Sequence, residues 1–460
     1  MSDVITIDPA TGAELGRYPG LDSAGIDRAL DAAARAQAAW AEVPIAERAA
    51  LLRGLGRLLR DEAEAHATLI SREMGKPVTE ALAEVRKCAL TCDYYADHVE
   101  EFLADQPVQT EASASYVTYE PLGVVLAVMP WNFPYWQVIR FAAPTLAAGN
   151  GGLLKHASNV TGCALAIADV IRRAGFPDAL FQTLVLTGHG QVDEIIADPR
   201  VAAVTLTGSE GAGASVAAAA GKALKKTVLE LGGSDPFVVL GDADIEQVAP
   251  LAVRARFVNT GQSCLCAKRF PVEGAVIDEF EQRVSDLVAV LRVGDPLDPA
   301  TQIGPLAKPS FVDDIDRQVS ESVSMGARII AGGYRIEGPG NYYAPTVLAD
   351  VTPEMPVFRE ETFGPVMAIV RADDAAHAIR LADDTRYGLA ASVWTADMER
   401  GLELGRGIHS GALFINAVVV SDPRLPFGGV KLSGYGRELS REGMLEFTNV
   451  RAVWAMRTIT

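Results

Sequence analysis

Basic residues are scarce in this sequence, and their scarcity argues against whole classes of partner. The 41 lysines and arginines are outnumbered by 59 aspartates and glutamates, which gives a formal net charge of −18 over 460 residues. Nucleic acids and anionic membranes bind basic surfaces. We therefore expect neither as a partner. The charge leaves a small-molecule substrate open, because a local basic pocket can lie inside an acidic protein.

Cysteine is also scarce, and the patterns of secreted and membrane proteins are missing. Five cysteines do not make a disulfide framework in a chain of this length, and the first residues lack the basic and apolar segments of a secretory signal. The most apolar stretch, residues 124–154, is interrupted by prolines, asparagines and an arginine. We expect a cytoplasmic protein. The six histidines form no HExxH motif or Cys/His cluster, so we expect no metal site.

What the sequence has in abundance is an alternation of short apolar strands and helices. Residues 24–42 and 45–73 have apolar residues at helical spacing. A second α/β series begins near residue 228, and residues 450–459 alternate like an exposed strand that pairs with another subunit in a homodimer or homotetramer. The first series of predicted strands covers residues 123–129, 151–155, 183–186 and 202–207. Such alternation predicts a parallel α/β sheet covered on both faces.

Two strand ends are candidate anion sites. Residues 201–213 run from an apolar strand through Gly208 and Ser209 into an Ala-rich helix, which points backbone N–H groups toward a phosphate. The third glycine of the usual dinucleotide fingerprint is missing, so a plain strand–helix connection explains this turn equally well. Lys155 ends a second strand, where α/β sheets bind ligands, although a solvated lysine is the commoner case. Together the two strand ends favour a nucleotide.

Three residues have side chains suited to acyl chemistry. Cys264 follows a helical segment in a turn made flexible by glycine; an ionised thiol there attacks carbonyl groups, whereas a buried thiol only packs. Glu230 ends an apolar run, where burial raises a carboxyl pKa and favours a general base; the alternative is a surface glutamate. Asn132 lies between two prolines, and its amide either stabilises an oxyanion or belongs to a structural turn.

Six motifs, in this order, resemble those of the aldehyde dehydrogenase superfamily over nearly the whole chain. They are PWNFP at 130–134, TGS at 207–209, ELGG at 230–233, GQSC at 261–264, EETFGP at 360–365 and PFGGVKLSG at 426–434. The resemblance implies an α/β aldehyde dehydrogenase-like fold. It implies a Rossmann-type NAD(P)-binding domain at residues 1–228 without about 107–120, and an α/β catalytic domain at 229–432. Residues 107–120 and 433–460 would form a small β oligomerisation element.

The resemblance also implies a mechanism and its residues. Cys264 attacks the aldehyde to give a thiohemiacetal, whose oxyanion is held by the Asn132 side chain and the Cys264 backbone N–H. Hydride transfer to the nicotinamide leaves a thioester, and Glu230 activates the water that hydrolyses it. The residues that match cofactor-binding positions are Trp131, Lys155, Ser158, Gly208, Ser209, Glu361 and Phe363.

Within the superfamily the sequence is most similar to bacterial succinate-semialdehyde dehydrogenases. Many NAD-preferring relatives have glutamate where this chain has Ser158, so we expect NADP to be preferred and NAD to be accepted. Arg140 matches an arginine that binds the far carboxylate of the substrate, and Ser421 is a candidate second contact. A second arginine of some relatives is Val258 here, and Arg140 as a helix-surface charge remains an alternative.

One further cysteine and several other functions remain open. Cys266 resembles the second cysteine of a redox switch that would disable Cys264 by forming a disulfide, or else it only packs. The predicted reaction is NAD(P)-dependent oxidation of succinate semialdehyde to succinate. The alternatives are a dehydrogenase of another small aliphatic or aromatic aldehyde, a cysteine esterase that needs no nucleotide, and a protein without catalytic activity.

Overall fold

The computed structural model describes residues 2–457, in which strands and helices alternate along the chain. The strands are β1 Asp3–Ile7, β2 Glu14–Pro19, β3 Gln106–Pro107, β4 Ala114–Pro121, β5 Val124–Met129, β6 Gly151–His156, β7 Phe181–Thr183, β8 Val201–Thr207, β9 Lys226–Glu230, β10 Asp235–Val239, β11 Ala267–Glu273, β12 Arg328–Ala331, β13 Thr346–Ala349, β14 Val366–Ala372, β15 Ala390–Trp394, β16 Ala412–Ile415, β17 Gly434–Tyr435 and β18 Thr448–Ala455. The helices are α1 Ser23–Ala41, α2 Ile45–Asp61, α3 Ala63–Met74, α4 Val78–Phe102, α5 Trp136–Ala147, α6 Thr161–Arg173, α7 His189–Ala197, α8 Glu210–Lys222, α9 Ile245–Phe257, α10 Ile277–Ala289, α11 Pro309–Ser324, α12 Pro356–Arg359, α13 Ala375–Asp383, α14 Met398–Gly405 and α15 Ser440–Leu445. Short 3-10 turns lie at Ser158–Val160, Val258–Gly261 and Lys431–Ser433.

Two largely parallel sheets form the framework of the molecule, as the strand–helix alternation predicted. The six-stranded sheet has the order β17-β9-β8-β5-β6-β7, and the seven-stranded sheet has the order β12-β13-β14-β11-β10-β15-β16. Only the pairings of β17 with β9 and of β12 with β13 are antiparallel within these two sheets. The inner strands are apolar and buried on both faces, as parallel sheets between helices require. This confirms the predicted fold class.

The helical pattern over residues 45–73 is confirmed, but as two helices, α2 and α3, because the backbone leaves the helical region at Glu62. No proline or glycine marks this break, and the Glu62 carboxylate accepts a hydrogen bond from Arg173 Nη2 at 2.7 Å at this point. The strand predicted at 183–186 ends at Thr183, because β7 pairs with only three residues of β6.

A separate three-stranded sheet, in the order β18-β4-β3, lies outside the two large sheets. β18 pairs antiparallel with β4 over eight residues, from Thr448 opposite Pro121 to Ala455 opposite Ala114. The strand predicted at 450–459 is thus present but ends at Ala455, and residues 458–460 of the predicted oligomerisation element lie outside the described part of the chain. No helix within residues 2–457 is both long and apolar enough to cross a membrane.

The candidate site residues lie where the two large sheets approach each other. Asn132 follows β5, Ser209 follows β8 and Glu230 ends β9, so all three are at the carboxyl edge of the six-stranded sheet. Cys264 lies just before β11 of the other sheet. The domain boundary that we expected at 228/229 falls inside β9, so strand pairing carries the first sheet beyond it. The division into domains stays a prediction.

Candidate active site

The turn that carries Cys264 has an unusual backbone held by buried polar groups. Asn259, Thr260 and Gly261 all have left-handed φ values, of 54°, 55° and 73°. Buried hydrogen bonds stabilise this conformation: the Asn259 N–H donates to Glu80 Oε2 at 2.6 Å, and its side-chain amide donates to the Asn132 carbonyl at 2.8 Å. A Cβ on Gly261 would lie 2.2 Å from the carbonyl oxygen of Gly364, so only glycine fits there.

Lys268, which we did not predict as a site residue, holds the same turn in place through hydrogen bonds. Its side chain is fully buried, and its ammonium group donates to the carbonyl oxygens of Ser263 at 3.0 Å and Cys264 at 2.9 Å. It also lies 3.5 Å from Oε1 of Glu361. Lys268 therefore links the thiol-bearing turn to a predicted cofactor-binding carboxylate.

The Cys264 thiol lies between two cavities and contributes to the lining of both. The first cavity has a volume of about 350 Å³ and includes Trp131, Ser209 and Glu361. The second has a volume of about 790 Å³ and is lined by Phe133, Leu265 and other mainly apolar residues. Burial raises the pKa of the Cys264 thiol to about 12, although the nearby positive charges of Lys268 and Arg140 oppose the shift. The free thiol is neutral at pH 7, so a base must remove its proton.

Asn132 lies beside Cys264 in the first cavity, at the turn after β5. Its amide nitrogen donates to the Gln262 carbonyl at 3.0 Å, and its side-chain oxygen accepts from Gln137 Nε2 at 3.1 Å. An amide nitrogen has two N–H groups, and the contact with Gln262 uses one of them. The second can donate to an oxygen that develops negative charge next to the thiol.

Glu230 is buried, so it is not the surface glutamate of the alternative interpretation. Burial raises its pKa well above the usual range, and the neighbouring carboxylate of Glu438 raises it further. Neither side-chain oxygen of Glu230 has a hydrogen-bond partner within residues 2–457. Its side chain lines neither cavity, because it is directed toward the side where Glu438 and Gly428 lie. The structure thus buries the predicted base close to the site without placing it against Cys264.

The first cavity has the features of a groove for a flat, polar ligand. The Trp131 ring stacks on Phe311 at 4.8 Å and meets the edge of Phe363 at 5.8 Å. Glu361, which lines the same cavity, accepts a hydrogen bond from the Gly233 N–H at 3.0 Å. Aromatic walls and a fixed carboxylate suit an aromatic ring attached to a sugar with hydroxyl groups.

The predicted phosphate turn also opens on the first cavity. Gly208 and Ser209 line it, and the Ser209 hydroxyl caps the N-terminus of α8, where it accepts a hydrogen bond from Ala212 N at 3.4 Å. Lys155 and Ser158 do not line this cavity; they lie at the end of β6, where Ser158 is exposed. Burial and the nearby charge of Lys308 lower the pKa of Lys155. Two cations at this strand end fit an anion outside the groove.

Arg140 is 3% exposed, which excludes a helix-surface charge. Its guanidinium lines the second cavity with Cys264 and forms an ion pair with the buried carboxylate of Glu438. It also lies 4.6 Å from the Phe427 ring centre and 3.4 Å from Thr207 Oγ1. The arginine that we predicted as a carboxylate ligand already has a carboxylate partner in the protein.

Lys87 on α4 is a second cation in this cavity, and we did not predict it. Its ammonium group donates to Ser421 Oγ at 2.6 Å and lies 4.0 Å from the Trp136 ring centre. All three residues line the second cavity. Val258, the position of a second arginine in some relatives, is part of the same lining as an apolar side chain.

Cys266 lies apart from both cavities. It is buried, its thiol donates to the carbonyl of Val258 at 3.4 Å, and it is a free thiol like Cys264. Burial raises its pKa. The redox role of Cys266 stays a prediction. Within the described range, no group of three or more His, Cys, Asp or Glu side chains is arranged to hold a metal ion.

Comparisons with known proteins identify relatives across the whole chain. The sequence pattern of the aldehyde dehydrogenase family matches residues 2–453. A probable succinate-semialdehyde dehydrogenase (NADP(+)) of Synechocystis sp. is 51% identical, over 98% of this chain and 99% of the relative. A succinate semialdehyde dehydrogenase (NAD(P)+) of Escherichia coli is 48% identical, over 98% of each chain. The crystal structure of the succinic semialdehyde dehydrogenase of Streptococcus pyogenes with NADP+ has a TM-score of 0.96 at 37% identity, over 99% of this chain and 100% of the other.

Proposed function

Because the chain belongs to the aldehyde dehydrogenase family, we propose that it oxidises succinate semialdehyde to succinate with NADP. The observation that carries the proposal is the position of Cys264 between two cavities of different character. The first suits a nucleotide, and the second is apolar with cations at its wall. Relatives of about 50% identity named for this activity support the choice of substrate.

The residues around Cys264 support a cysteine-dependent oxidation in two stages. The Cys264 thiol loses its proton to solvent water, and the sulfur then adds to the aldehyde carbon, forming a thiohemiacetal whose oxyanion accepts hydrogen bonds from Asn132 Nδ2 and the Cys264 backbone N–H. Loss of hydride converts the adduct into a thioester. A water molecule then adds to the thioester carbon, and expulsion of the thiolate yields the carboxylic acid.

Glu230 is the proposed base for the water that hydrolyses the thioester. Its raised pKa suits a base that gains a proton during the reaction. Because its carboxylate oxygens lack hydrogen-bond partners in the described structure, rotating the side chain toward Cys264 breaks no hydrogen bond. The proposal requires that rotation, since Glu230 lines neither cavity in the present conformation.

The side chains and backbone groups of the first cavity and of the end of β6 fit the parts of NADP. Trp131 and Phe363 would flank the nicotinamide, Glu361 would accept hydrogen bonds from its ribose, and Gly208 and Ser209 would contact the pyrophosphate. The 2′-phosphate would bind Lys155 beside the uncharged Ser158. When bound, NADP supplies the acceptor for the hydride.

The three-stranded sheet supports a homo-oligomer, which we propose as the working form. Val450, Trp454 and Met456 on or next to β18 each have at least half of their surface exposed, although they are large apolar residues. Pairing with a second copy would cover them. The five free thiols suit a reducing compartment, and we propose the cytoplasm.

The test is initial-rate reduction of NADP and NAD with succinate semialdehyde and with butanal, which has the same chain length but no carboxylate. We expect a higher kcat/KM for the acidic aldehyde, a higher kcat/KM with NADP, and no reduction by the Cys264→Ser variant. Equal kcat/KM for the two aldehydes would refute the proposed substrate while leaving aldehyde oxidation intact.

A further inference from the structure

Lys87 is a cation inside the second cavity that has no acidic partner in the described structure. It is half-buried on α4 and forms no ion pair within residues 2–457, because the two acids whose charges act on it, Asp422 and Glu84, are paired with Arg424 and Lys76. A partly desolvated ammonium group without a counter-ion is unfavourable unless something compensates its charge. The cavity that it shares with Cys264 is where a ligand would do so.

Two neighbours hold the Lys87 ammonium at a fixed point of this cavity. Ser421 Oγ accepts a hydrogen bond from it at 2.6 Å, and the face of Trp136 lies 4.0 Å away. An ammonium group has three N–H donors, and Ser421 accepts only one of them. The remaining donors are available to a carboxylate, and the Ser421 hydroxyl can donate to its second oxygen.

Arg140, a buried cation of the same cavity, differs in having its charge compensated. Its partner is the Glu438 carboxylate, buried with it, and Thr207 accepts a further hydrogen bond at 3.4 Å. A substrate carboxylate at Arg140 would compete with that pair. The same carboxylate at Lys87 would meet a cation whose neighbouring acids, Asp422 and Glu84, are already paired with Arg424 and Lys76.

We propose that Lys87 binds the far carboxylate of the substrate, with Ser421 as the second contact and Arg140 as a positioning residue behind them. The assignment rests on the proposed succinate-semialdehyde activity. It selects aldehydes with a terminal acid, because an uncharged aldehyde leaves Lys87 unpaired. Burial and the adjacent charge of Arg140 lower the pKa of Lys87 to about 8. A bound carboxylate would stabilise the charged ammonium group and raise this pKa again.

The experiment compares Lys87→Met, Lys87→Arg and the wild-type enzyme with succinate semialdehyde and with butanal. Methionine keeps the length and the apolar stem but removes the charge. We expect K87M to raise KM for succinate semialdehyde about ten- to a hundredfold relative to KM for butanal, the loss typical of a hydrogen bond to a charged group. K87R should recover part of the preference. Lys222→Met on the exposed end of α8 is the matched control.

The possible outcomes separate the two proposals. If the wild-type enzyme prefers the acidic aldehyde and K87M retains that preference, Lys87 is not the carboxylate ligand and the proposed function stands. If the wild-type enzyme has no preference, the proposed substrate is wrong, and the assignment of Lys87, which rests on it, is wrong as well. Equal losses for both aldehydes in K87M, or no recovery in K87R, would also overturn the assignment, because a structural role affects both substrates alike.

Discussion

The ammonium group of Lys268 lies 2.9 Å from the carbonyl oxygen of Cys264. This contact, together with that to Ser263, fixes the backbone on which the thiol and its N–H are mounted. Lys268→Met should leave buried carbonyl groups unpaired and let the turn shift. We expect kcat/KM to fall about a hundredfold, as a displacement of about 1 Å can cause.

The measurement for Lys268 is steady-state kinetics with succinate semialdehyde and NADP, alongside thermal unfolding. Lys222→Met removes an exposed lysine and should retain the wild-type rate and Tm. A K268M enzyme with unchanged kcat/KM would show that the Cys264 turn is fixed without this lysine.

The raised pKa of Cys264 predicts how its reactivity depends on pH. Because the pKa is about 12, the thiolate fraction of the free enzyme increases as pH rises and does not saturate near neutrality. The rate of inactivation by iodoacetamide should increase about tenfold per pH unit between about pH 7 and 9. A plateau below pH 8 would mean that Lys268 or Arg140 ionises the thiol in the resting enzyme.

The pKa of Glu230 should depend on Glu438. Burial is the larger cause of its raised pKa, and the Glu438 carboxylate is the second. Because a base acts only when it is deprotonated, kcat should decline as pH falls through this raised pKa. Glu438→Gln removes the repelling charge and frees Arg140 to stabilise the ionised form. We expect the acid limb of the kcat–pH profile to move down by roughly one pH unit.

The control for this shift is Glu442→Gln, which removes an exposed carboxylate from the same segment. Its profile should match the wild type. If the acid limb stays in place or moves up in E438Q, one of two premises is wrong. Either the Glu438 charge does not raise the pKa of Glu230, or the acid limb does not report the ionisation of Glu230. Thermal unfolding checks that E438Q is folded, because it leaves Arg140 without its buried partner.

Much of the fold followed from local patterns in the sequence, and the candidate site followed from motifs that resemble those of a known family. Apolar strands separated by helices predicted the parallel sheets. Asn132, Ser209 and Glu361 were identified by motifs, and the structure brings them into one cavity with Cys264. In these segments the residues that form the turn include the residue that faces the cavity, so a short sequence motif is sufficient to identify it.

Lys87 and Lys268 could not be identified in this way, because their roles depend on distant partners. Lys87 meets Ser421 across more than three hundred residues, and its neighbour Arg86 on the same helix is exposed. Lys268 and Arg269 are charged residues, yet β11 buries both because backbone carbonyl groups accept hydrogen bonds from them. The direction of the Glu230 side chain is likewise set by packing that no local pattern encodes.

Cofactor preference should depend on the charge at residue 158. Ser158→Glu places a carboxylate near the end of β6, where it would repel a 2′-phosphate and accept hydrogen bonds from free ribose hydroxyls. We expect the ratio of kcat/KM with NADP to that with NAD to fall roughly ten- to a hundredfold. Ser158→Gln supplies the same bulk without charge and should change this ratio much less; equal effects of the two variants would implicate size.

Asn132 should act in the chemical step rather than only in the turn. Asn132→Ala removes the proposed oxyanion donor, and we expect kcat to fall about 10²- to 10³-fold, the usual effect of such a donor. The same substitution also breaks the contacts with Gln262 and Gln137, so a loss of Tm is expected as well.

Gln137→Leu separates these two effects. It deletes the hydrogen bond to the Asn132 side-chain oxygen while the amide N–H groups of Asn132 remain. If Asn132 stabilises the oxyanion, Q137L should lose Tm but retain most of kcat, whereas N132A loses both. If the two variants lose kcat to the same extent for the same loss of Tm, the contribution of Asn132 is to hold the turn, and the backbone N–H of Cys264 must stabilise the oxyanion without it.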